Sequence, residues 1–127
     1  MKKILITAGN VSVPAELKDT PTAQAIWDAL PIEGSANTWG DEIYFEIPVN
    51  LPQESDARAE VDIGELGYWP VGSAFCIFFG PTPASTGDQP VAASPVNVFG
   101  RLSGDPTKFK EVPHGMKVII SPVKSGA

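Results

Sequence analysis

Few side chains in this sequence are of a type that does chemistry, and they are thinly spread. There is one histidine, His114, in the stretch EVPHGMK, and one cysteine, Cys76, inside the apolar run AFCIFF. A catalytic histidine needs a positioned partner, and a turn-rich stretch more commonly leaves a lone histidine in solvent. One histidine and one cysteine cannot supply the ligand set of a zinc site. Asp41 and Glu42 suit a hard cation by type, but no calcium or magnesium loop motif surrounds them. No metal and no cofactor are therefore expected. A reactive thiolate wants a cation or a helix N-terminus beside it. Between Phe75 and Ile77, Cys76 reads instead as a small apolar filler or a pocket wall.

Glu42, Tyr44 and Glu46 share one face of the alternating stretch DEIYFEIP. Paired carboxylates can divide acid and base roles, but such a row is also what the solvated side of a sheet looks like. Trp39, Tyr68 and Trp69 lie in glycine-rich surroundings, where they either rim a site or plug the core. No GxSxG, Walker A or dinucleotide fingerprint occurs in a suitable context.

The elements that must position these groups are short, because thirteen prolines and twelve glycines punctuate the chain. Ile4–Thr7 and Val11–Leu17 flank Gly9-Asn10, a hairpin signal. The stretch TPTAQAIWDALP predicts one helix over about residues 20–30. Thr20 can cap it, Pro21 sits where a missing N–H is harmless, and Ala23, Ile26, Trp27 and Leu30 form one apolar stripe. GSANTWG reads as a loop and EIYFE as a half-buried strand with Ile43, Phe45 and Ile47 inward. Residues 50–58 read as a polar excursion, and Val61 and Ile63 resume the alternation. Gly64, Gly67 and Gly72 interrupt the chain around Leu66, Tyr68 and Trp69. Residues 74–79 are the most hydrophobic strand, residues 80–95 a long loop, and VNVFGRL and MKVIIS two further strands. Asp105-Pro106 starts a turn or short helical piece. Seven or eight short strands and one helix predict a mainly β, closed or nearly closed antiparallel barrel, with residues 1–127 as a single domain.

Hydrophobic residues make up 43% of the chain and charged ones 19%, the balance of a folded domain. Nine Lys and Arg against fifteen Asp and Glu leave a net charge of -6, which argues against nucleic acid as a partner. No apolar run approaches a membrane span, and the apolar piece Ile4 to Ala8 is too short for a secretion signal core. A lone cysteine allows no disulfide within the chain, so a cytoplasmic location is expected.

Two pieces carry a resemblance. GSAFCIFF, followed by a Pro/Gly/Ser loop and then VNVFGRL, resembles the cyclophilins through Gly72, Ser73, Phe75, Ile77, Val98, Phe99, Gly100 and Arg101. TPTAQAIWDALP, WGDEIYFEIP and the opening stretch through GPTPAS together resemble a small prokaryotic cyclophilin-like domain family of unassigned function. The resemblance implies a closed eight-stranded cyclophilin-type barrel. It also implies a departure from cyclophilin chemistry. The isomerases use an arginine from a strand resembling IYFEIP, and the arginines here are Arg58 and Arg101. The QGGD-type motif is absent, and Ala74, Cys76 and Val96 stand where a glutamine, an aromatic residue and a histidine are expected. Without a positioned cation to stabilise a twisted amide, efficient prolyl isomerisation is not expected.

Strand parity then sorts the apolar run. Phe75, Ile77 and Phe79 point into the barrel, while Ala74, Cys76 and Phe78 point to the surface where cyclophilins bind proline. The expected ligand surface is an open apolar groove at Ala74, Cys76 and Phe78, with Pro81, Thr82, Val96 and Asn97 of the 80–97 stretch and with Tyr44 and Glu46. The expected role is a non-catalytic module for a small molecule or peptide. The alternatives are a subunit or self-pairing partner in a larger complex, which rests on fold analogy, and a weak prolyl isomerase.

Overall fold

Residues 2–123 are described by a computed structural model. The hairpin at Gly9-Asn10 joins β1 (Lys3–Ala8) to β2 (Val11–Leu17), with Ala8 opposite Val11 and Gly9 at φ 60°, a left-handed value that glycine adopts without strain. The helix α1 (Pro21–Ala29) begins where its cap predicts, with Thr20 Oγ1 accepting from Ala23 N at 3.1 Å. Its buried residues are Thr22, Ala23 and Ile26.

The remaining strands are β3 (Ile32–Ser35), β4 (Asn37–Thr38), β5 (Glu42–Glu46), β6 (Arg58–Glu60), β7 (Glu65–Trp69), β8 (Ala74–Phe78), β9 (Val91–Leu102) and β10 (Lys117–Val123). A 3-10 turn, Pro106–Glu111, stands where Asp105-Pro106 signals it. All pairs are antiparallel, in the order β3-β10-β1-β2-β9-β7-β8-β5-β4, and β6 pairs with β9 outside this path. The architecture is mainly β with one main helix, as the sequence leads one to expect. The strand pairing alone does not close into the expected eight-stranded barrel. Ten strands form among the described residues, and the ladder is an open path whose ends are β3 and β4. Those ends are consecutive in the chain, with only Ala36 between them. Ala36 is buried, donates to Met116 O at 2.8 Å and accepts from Gly115 N at 2.7 Å.

Four segments differ from the sequence reading. GSANTWG is not a plain loop, because residues 32–38 pair first with β10 and then with β5. Gly64 and Gly72 lie in the turns that flank β7, but Gly67 does not break the chain; it lies inside β7, between β8 and β9. A Cβ at Gly67 would sit 2.7 Å from the Val96 side chain, so this glycine permits close packing of β9 rather than a bend. The loop after β8 ends at Val91, which leaves it shorter than expected. Ile63, expected inward with Val61, is 46% exposed, because β6 ends at Glu60 and the chain turns there.

The main core gathers Ile4, Ile6, Phe45, Phe75, Ile77 and Phe99 with the inner faces of β2, β10 and α1. Phe75 is its centre, stacked on Phe45 at 5.2 Å and edge-on to Phe99 at 5.0 Å between ring centroids. A second, smaller core lies on the opposite face of β8, made of Val61, Ala74, Cys76, Phe78, Ala92 and Val96.

The polar excursion at 50–58 is tied down by two buried side chains. Tyr68 Oη donates to Val49 O at 2.6 Å and accepts from Leu51 N at 3.2 Å. Asn97 Oδ1 accepts from Glu54 N at 2.8 Å, and its Nδ2 donates to Pro52 O at 3.0 Å and Thr22 Oγ1 at 3.2 Å. Asn97 therefore faces the helix and the excursion, with its donors and acceptor engaged. Truncation would leave buried backbone groups unpaired, so Asn97→Ala is expected to lower the unfolding free energy by about 2–3 kcal/mol. Urea unfolding checks this, and an unchanged midpoint would mean that the network holds nothing.

Candidate functional site

The second core is incomplete. Where it meets solvent, the structure leaves a pocket of about 210 Å³. Cys76 of β8 and Val96 of β9, both buried, form its floor, and Ala92 and Ala93 at the start of β9 bound one side. Trp39, Tyr44 and Trp69 supply aromatic walls, and Glu42 supplies the one carboxyl.

Local structure places each of these side chains. β4 turns into β5 through Gly40-Asp41, and the turn is closed by Trp39 N donating to Glu42 O at 2.9 Å and Glu42 N to Trp39 O at 3.2 Å. That reciprocal pair holds Trp39 beside Glu42. Strand alternation then puts Tyr44 on the same face as Glu42, across from Cys76 and Phe78 in the β5–β8 register. Trp69 ends β7 opposite Ala74 and meets Tyr44 edge-on, with ring centroids 6.3 Å apart and planes at 74°. Its indole Nε1 donates to Ser94 Oγ at 2.6 Å, which fixes the ring against β9.

Glu42 is the anomaly. The alternation of EIYFE puts it on the face expected to be solvated, yet it is only 5% exposed. Its Oε1 is buried and has no hydrogen-bond partner among the described residues. Burial pushes its carboxyl up to about 7, and the neighbouring Cys76 thiol pulls partly the other way. The Cys76 thiol is fully buried; burial first and the Glu42 charge second push it well above its ordinary range, and its Sγ lies 3.9 Å from Ala74 O. A protonated thiol in this setting is a wall and not a nucleophile.

The residues expected from sequence to form the ligand surface separate into groups. Tyr44, Cys76 and Val96 meet in the pocket. Ala74 and Phe78 share the face of Cys76, as parity requires, but are buried in the small core beneath it. The open groove with Phe78 as its largest element is thus corrected: β6 and the start of β9 cover that face. Thr82 is buried within its own loop, where its hydroxyl donates to Val91 O, and Pro81 is exposed. Glu46 is exposed beyond the pocket, and Asn97 faces the other way, as described above. Trp39, Glu42, Trp69, Ala92 and Ala93 are the pocket residues that the expected surface omits. The signal was present in two forms, the aromatic pair at the glycine-rich segments and the carboxylate row, but neither told that a second layer would cover Glu42.

No arginine, lysine or histidine lines the pocket. Arg58 binds Glu65 at 2.9 Å. At Glu65 burial acts upward, but hydrogen bonds from Arg58 and Asp62 N and the Arg58 charge outweigh it, so the shift is downward. Arg101 is exposed. His114 is exposed too, and its Nδ1 accepts from Thr38 N at 3.3 Å. Among the described residues there is no group of three or more His, Cys, Asp and Glu placed to hold a metal, and no helix is long and apolar enough to cross a membrane.

The sequence profile of the cyclophilin-like family matches residues 2–121. No curated protein matches the chain. The chain is 38% identical to a hypothetical protein of Archaeoglobus fulgidus, AF2241, whose solution structure superposes with a TM-score of 0.80 over 96% of this chain and 95% of that one. It also resembles McbB, solved in complex with tryptophan, at a TM-score of 0.74 and 14% identity, over 98% of this chain and 46% of that one.

The raised Glu42 pKa makes a stability prediction. Between its unfolded value of 4.5 and its folded value of about 7, the folded state holds the proton more tightly than the unfolded chain. Stability contributed by Glu42 is therefore full below pH 4.5 and falls as pH rises toward 7. The change is about 3 kcal/mol, from 1.36 kcal/mol per pKa unit. Glu42→Gln is expected to remove this downward slope relative to the parent chain, measured by urea unfolding at pH 4.5, 6 and 8. Parallel slopes in the two proteins would place the folded Glu42 pKa in the ordinary range.

Proposed function

The chain belongs to the cyclophilin-like family, and on that premise we propose that it is a non-catalytic binding module. Its site is the pocket between Trp39, Tyr44, Trp69 and the buried Glu42. One observation carries the reading: a carboxyl oxygen, Glu42 Oε1, buried without a hydrogen-bond partner among the described residues in the wall of an aromatic pocket. An unsatisfied buried acceptor costs stability, and an occupant that donates to it removes that cost. The pocket is smaller than the usual range for drug-sized ligands, so the occupant is a small molecule or a single side chain of a peptide. Tyr44, Cys76 and Val96 contact it in this reading, and Ala74 and Phe78 support them from below.

The same reading takes the sheet as an eight-stranded barrel closed by the chain itself. If residues 32–38 count as one strand bent at Ala36, the nine strands of the path become eight, and β6 stands outside. Proline isomerisation has no support in the pocket, because no cation lines it to stabilise a twisted amide. A cytoplasmic location suits the single buried thiol.

Two measurements test the proposal. A small-molecule fragment screen followed by amide and indole NMR is expected to move Trp39, Tyr44, Trp69, Cys76 and Ala92 together. Shifts scattered over the surface, or none in this group, would overturn it. A prolyl isomerisation assay at high protein concentration is expected to give the uncatalysed rate, and measurable acceleration would return the chain to the isomerases.

A further inference from the structure

We propose that the pocket selects a small organic cation, an arylalkyl amine in its protonated form, and that Glu42 is the residue that holds the ammonium group. The inference rests on the pocket-binding reading above and names the ligand class for it.

Glu42 is an acceptor when ionised and lacks a protein donor at Oε1. The other titratable side chains lining the pocket are Tyr44 and Cys76, and neither brings positive charge. An anionic ligand would meet a carboxyl and aromatic ring faces with no cation in reach. Ring faces and a carboxylate both attract a positive charge, and they do so most strongly where water is excluded. Trp39, Tyr44 and Trp69 bring three such rings to one pocket. Two of them are held in place, Trp69 by Ser94 and Tyr44 by its edge contact with Trp69. The net charge of -6 favours approach of a cation over a wide range of distance.

Size narrows the class further. A volume of about 210 Å³ holds one ring and a short arm, not a nucleotide or a folded peptide segment. The apolar floor of Cys76 and Val96 suits the ring, and Glu42 in the wall suits the ammonium end. Binding also resolves the anomaly at Glu42, since a bound cation favours the ionised carboxylate that burial alone disfavours.

The test compares three ligands of one shape: 2-phenylethylamine, 2-phenylethanol and 3-phenylpropanoate, titrated into the full chain at pH 7.5 and followed by NMR. The amine is expected to bind at least about tenfold more tightly than the alcohol, and the carboxylate not to bind. With the amine bound, the Glu42 carboxyl ¹³C titration is expected to move down from about 7. Glu42→Gln, which keeps the shape of the side chain, is expected to bind amine and alcohol alike, with an amide spectrum otherwise matching the parent. Equal affinity of amine and alcohol for the parent chain overturns the choice of a cation and leaves the pocket reading standing. If no ligand moves the pocket resonances and the fragment screen is silent as well, both readings fall.

Discussion

Strand β8 is buried on both faces, and most of the molecule is arranged around that constraint. Ala74 to Phe78 are all buried, although a strand in an antiparallel sheet commonly keeps one face in water. Each large side chain here contributes roughly 1.5–3 kcal/mol when withdrawn from solvent, so both faces require a cover. Phe75 and Ile77 find theirs in the main core, between β1, β2 and α1. Ala74, Cys76 and Phe78 find theirs under the first half of β9, with Val61 beside β6. The length of β9 follows from this double duty. Its N-terminal half pairs with β6 over the second core, and its C-terminal half pairs with β7 and β2 around the first.

Covering the second face is what turns an ordinary carboxylate into an unusual one. On an uncovered sheet Glu42 would be hydrated and unremarkable. Buried in the pocket wall, and beside a thiol that only partly offsets the burial, its charged form is disfavoured. The contrast with Glu65 is instructive. That carboxyl also lies on the second face and is buried, but it receives Arg58 Nη2 at 2.9 Å and Asp62 N at 2.8 Å. Two buried acids on one sheet face thus have opposite shifts, because Glu65 receives Arg58 and Asp62 N while Glu42 has only the Cys76 thiol to set against its burial. Gly67, two residues after Glu65 on β7 and opposite Cys76, leaves room for Val96 to descend and complete the pocket floor.

Much of the fold is written in short local signals. Thr20-Pro21, Gly9-Asn10 and Asp105-Pro106 each act within a few residues, through a cap, a turn and a proline-fixed dihedral, and each element starts where its signal stands. β3 and β4 carry no such signal. Their residues, IEGS and NT, have weak strand character and are extended only because β10 and β5 offer them backbone partners. β7 was obscured by its glycines for a related reason. Gly67 reads as a break along the chain, but in the sheet it is the position where β9 approaches closest. Asn97 shows the same limit for a side chain. Its position after Val96 is visible in sequence, but the three groups it binds lie 43 to 75 residues away.

What the sequence by itself determined is the alternation: Phe75, Ile77 and Phe79 on one side of the sheet, Ala74, Cys76 and Phe78 on the other. It also determined that the IYFEIP stretch carries no arginine, the two in the chain being Arg58 and Arg101. Alternation is a property of the extended backbone and needs no tertiary information. Only the tertiary structure decided that the second face is a buried wall rather than an open groove, and that Trp39, Glu42 and Trp69 join Tyr44 and Cys76 there. Burial depends on which distant segment lies over a face. For Glu42 the segments that meet beside it in the pocket run from Trp39 to Val96, and it is burial among them that makes this carboxyl chemically distinct.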